Sequence, residues 1–95
     1  MSIKEALERR LIEGLAPYAE ANELKVLHDK LTGVEDVPAL ADTIHTYYGE
    51  LLTRRELPTT AVEGVAKPKN ANELVYWIEE LEDAVLVELQ RYLEN

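Results

Sequence analysis

Ninety-five residues, with acids outnumbering bases 19 to 10, carry a net charge of −9. A chain this short holds one small core, so the expectation is a single helical domain over 1–95. It contains no cysteine, which excludes disulfides, thiolate metal sites and a thiol nucleophile.

The apolar periodicity is helical almost throughout. Ser2 and Glu5 form a capping-box pattern, and Ile3, Leu7, Leu11, Leu15 and Tyr18 follow as one stripe. Gly14 and Pro17 interrupt it, so a first helix over 2–14 stops there or kinks at Pro17. A second helix over 17–32 presents Tyr18, Ala21, Leu24, Leu27 and Leu31, and Thr32-Gly33 ends it. Asp36 and Pro38 open a third, over 37–56, with Leu40, Ile44, Tyr47, Tyr48 and Leu51 on its inner face. Of the two adjacent tyrosines, one ring is expected inward and one on the flank.

Residues 58–70 are rich in turn formers. Thr60 with Glu63 is compatible with one helical turn, and Val62 with Val65 with an irregular strand. A final helix over 71–94 starts at an N-cap supplied by Asn70 with Glu73, or by Asn72. Its main stripe is Leu74, Ile78, Leu81, Val85, Leu89 and Tyr92. The fold reading is therefore all-α: a small four-helix, bundle-like domain with a long C-terminal helix.

That helix carries apolar residues beyond its stripe. Val75, Leu86 and Leu93 lie about 100° round the wheel, with Trp77 and Ala84 on the other side. Together they cover about half the circumference, more than the ~100° that suits one face on a small core. Val75, Leu86, Leu93 and Trp77 are thus the candidate interface residues, and a homodimer is the simplest partner arrangement.

Charge limits other partners. Residues 71–95 hold seven acids against Arg91 alone, so −6 of the net −9 sits in the last quarter. Clustered bases are few, and direct binding to nucleic acid or anionic lipid is disfavoured. Glu79, Glu80 and Asp83 make an acidic face opposite the main stripe. It is either a solvated surface or a row that docks on a basic, nucleic-acid-handling protein as an inhibitor or mimic. No apolar run approaches the ~20 residues of a membrane span, and Met1 to Arg10 lack a signal-peptide stretch, so the expected location is cytoplasmic.

Signals for chemistry are thin. Asp42 and His45 have the acid–x–x–His spacing of carboxylate metal bundles, but only once, and the wheel turns both toward solvent. Paired acids of the last helix, joined by Glu20 and Glu23, are a conceivable Mg2+ set. No glycine-rich phosphate loop or nucleophile elbow is present, and no cofactor is implied. Reading 38–52 as a recognition helix and 53–67 as a β-wing gives a winged-helix DNA binder, but Asp42 would then face phosphates. The leading expectation is a non-enzymatic interaction module that self-associates through its C-terminal helix. A metal-dependent enzyme and a winged-helix regulator are the lesser alternatives.

Overall fold

A computed structural model describes residues 3–94. The chain is all-α, with five helices and no strand among the described residues. It divides into two compact units, Met1–Glu35 and Asp36–Asn95.

In the first unit α1 (Ile3–Leu15) packs on α2 (Ala21–Leu31). Leu7, Leu11 and Leu15, four apart on one face of α1, are all buried. Ser2, half of the expected capping box, lies outside the described residues. Pro17 separates two helices rather than kinking one. It has no N–H to continue the ladder, and the amides of Tyr18 and Ala19 both return to the Leu15 carbonyl at 2.8 Å.

The second helix accordingly starts at Ala21, not at residue 17. Glu20 is its N-cap, and its N–H donates to Glu23 Oε1 at 2.9 Å. This contact turns Glu23 inward, so the buried face of α2 is Glu23, Leu27 and Leu31, while Ala21 is exposed. The helix ends in a tight turn. Thr32 (φ −62, ψ 125) precedes Gly33 at φ +84, and Val34 N–H reaches the Leu31 carbonyl at 3.1 Å. That is type II geometry, which needs positive φ at its third residue. His28 on α2 contacts the Glu8 carboxylate on α1.

In the second unit α3 (Val37–Arg54) packs on α5 (Ala71–Glu94), and one turn of helix, α4 (Thr60–Glu63), contacts both. Asp36 caps α3, its Oδ2 accepting from Ala39 N–H at 3.4 Å with Pro38 in the first turn. Buried side chains on α3 run from Leu40 to Leu52 and include Tyr47 and Tyr48. Both tyrosines are inside, with ring centroids 6.1 Å apart. Neither is a flank residue, because the covered arc of α3 spans about 140° and takes in both azimuths.

The end of α3 is a Schellman motif closed without glycine. Leu57 N–H donates to the Leu52 carbonyl at 2.9 Å, and Glu56 N–H to that of Thr53 at 3.0 Å. Glu56, at the position between, has φ +58, a conformation that glycine adopts without a Cβ penalty. Residues 53–67, read above as a possible β-wing, hold this cap and α4. Thr59 Oγ1 donates to Glu63 Oε1 at 3.2 Å across the single turn, and Val62 is buried.

Asn70 caps α5, its Oδ1 accepting from Glu73 N–H at 2.9 Å. Glu73 Oε2 in turn accepts from Lys69 N–H at 2.8 Å. Leu74, Trp77, Ile78, Leu81, Val85 and Leu89 are buried on α5. Tyr92 departs from the expected stripe. Gln90 to Leu93 are all exposed, so this last turn projects past the packed part of the helix.

Two stability changes follow. Glu56→Gly relieves the left-handed strain and raises unfolding stability by about 1 kcal/mol; Asn70→Ala removes a cap and lowers it by about 1 kcal/mol. Urea denaturation followed by circular dichroism measures both, with the midpoint rising for the first and falling for the second.

Candidate interaction surface

Five large apolar residues are exposed among the described residues, and all five lie on α5: Val75, Tyr76, Val87, Tyr92 and Leu93. The reason is in the winding of the helix. The buried side chains from Trp77 through Leu81 to Leu89 occupy an arc of about 120°. Val75 and Leu93 lie about 40° beyond the Leu89 edge of that arc, and Leu86 about 60° beyond it. Val75 is 48% exposed and Leu93 58%, while Leu86 is half-buried.

Of the interface residues read from the sequence, these three form one row along the helix. Trp77 does not join them. At 4% exposure it is a core residue, because it lies on the opposite edge of the arc, where the chain covers the helix. Val87 and Tyr76 make a second exposed apolar line on the far side of α5. Val87 carried a usable sequence signal, a β-branched apolar residue directly opposite the main stripe.

Glu79, Glu80 and Asp83 are exposed on the outer side of α5. Glu79 and Asp83 stand between the two apolar lines, and Glu80 lies beyond the second. A partner covering the Val75–Leu93 row alone leaves these acids at its rim, where they keep their hydration.

The residues considered for metal chemistry are occupied elsewhere. Asp42 pairs with Lys67 at 2.6 Å, joining α3 to the segment after α4. His45 is half-buried rather than solvent-facing. Its Nε2 lies 3.2 Å from the Val62 carbonyl, and since a carbonyl only accepts, this nitrogen carries the hydrogen. Glu23 is buried against the start of its own helix. Among the described residues, no group of three or more histidine or acidic side chains is placed to hold a metal ion.

His45 also lines an open cleft of about 450 Å³ between α3 and α4, with Gly49, Thr53, Arg54, Val62 and Glu63. Gly49 lies inside α3, and a Cβ there would meet nothing within 4 Å. Among the described residues, no helix is long and apolar enough to cross a membrane.

Asp42 and Lys67 side chains are each more than half exposed, so their attraction is strongly screened. A double-mutant cycle of Asp42→Ala and Lys67→Ala, read by urea unfolding, is expected to return a coupling below about 1 kcal/mol.

The chain matches no known family model, no curated protein and no solved structure.

Proposed function

We propose that the protein is a non-enzymatic interaction module that pairs with a second copy through the exposed flank of α5. One observation carries this reading: every exposed large apolar side chain among the described residues belongs to that helix. Scattered single apolar residues on a surface are ordinary, whereas their concentration on one element marks a contact site. The row Val75, Leu86 and Leu93 supplies the contact.

A second reading is favoured by the exposed Glu79, Glu80 and Asp83, which suit docking on a basic protein. Salt separates the two. Self-pairing brings together two chains of net charge −9, so screening by added salt tightens it. Docking on a basic partner weakens as salt rises.

Leu86→Glu places a charge in the centre of the apolar row at a half-buried position. It is expected to turn a dimer into a monomer in sedimentation velocity while the helical circular dichroism signal and urea midpoint stay close to wild type. A wild type that sediments as a monomer at all concentrations removes the self-pairing reading.

A further inference from the structure

We draw no further inference here: the strongest candidate, the open cleft of about 310 Å³ between the segment 66–69 and the first turns of α5, carries nothing, because its two lysines and two glutamates select no ligand charge and the unpartnered Trp77 Nε1–H beside it is itself shut off from solvent.

Discussion

Helix α5 has more apolar circumference than the packing of its own unit covers. Six side chains, from Leu74 to Leu89, go into the core and give α3 and α4 their common support. That burial is the main force holding the unit together. The same winding leaves Val75 and Leu93 just past the covered edge, where a helix facing only one core carries polar residues. Removing those methyl groups from water needs a surface that the packing of α3 and α4 does not provide.

Charge makes this uneven coverage tolerable. Five acids in the first thirteen residues of α5 interrupt the exposed apolar residues, so that no broad continuous patch forms. Glu79 and Asp83 lie between the Val75 and Val87 lines. An oily contact has to follow one row or accept buried carboxylates, and burying carboxylates is far more costly than burying a narrow row of aliphatic groups. Acidic and apolar features of α5, which suggest different partners when taken separately, together define one narrow seam.

Most of the fold was legible because its strongest signals are local. Nothing between Asn70 and Leu93 breaks a helix, and Asn70 with Glu73 announces its start. For α4 the signal was divided: Thr60 with Glu63 allowed a helical turn and Val62 with Val65 an irregular strand, and the residue at the N-cap is Thr59. The start of α2 was hidden because its cap is Glu20, a residue type that rarely serves there, and because its partner Glu23 reads as a surface acid until it turns inward. Glu56 was hidden for a related reason: the left-handed position after a helix is usually marked by glycine. The wheel alone sent one of the two tyrosines to the flank and Trp77 to an interface, since periodicity gives an azimuth but not the width of the neighbouring cover. For the candidate surface this meant that Val75, Leu86 and Leu93 could be read as a row, while the side on which Trp77 would fall could not.

The polar residues that most invite a chemical role are the ones the local structure uses. Glu23, Asp36 and Glu73 accept backbone N–H groups at helix starts, Asp42 holds Lys67, and His45 contacts the carbonyl of the buried Val62. A side chain bound in this way stabilises one geometry, whereas a general acid or a metal ligand has to offer its lone pair or proton to a reactant. Exposed charged groups are spread over both units, whereas the exposed large apolar side chains among the described residues are confined to α5. On the reading proposed above, their place along one helix suits a long, matching surface.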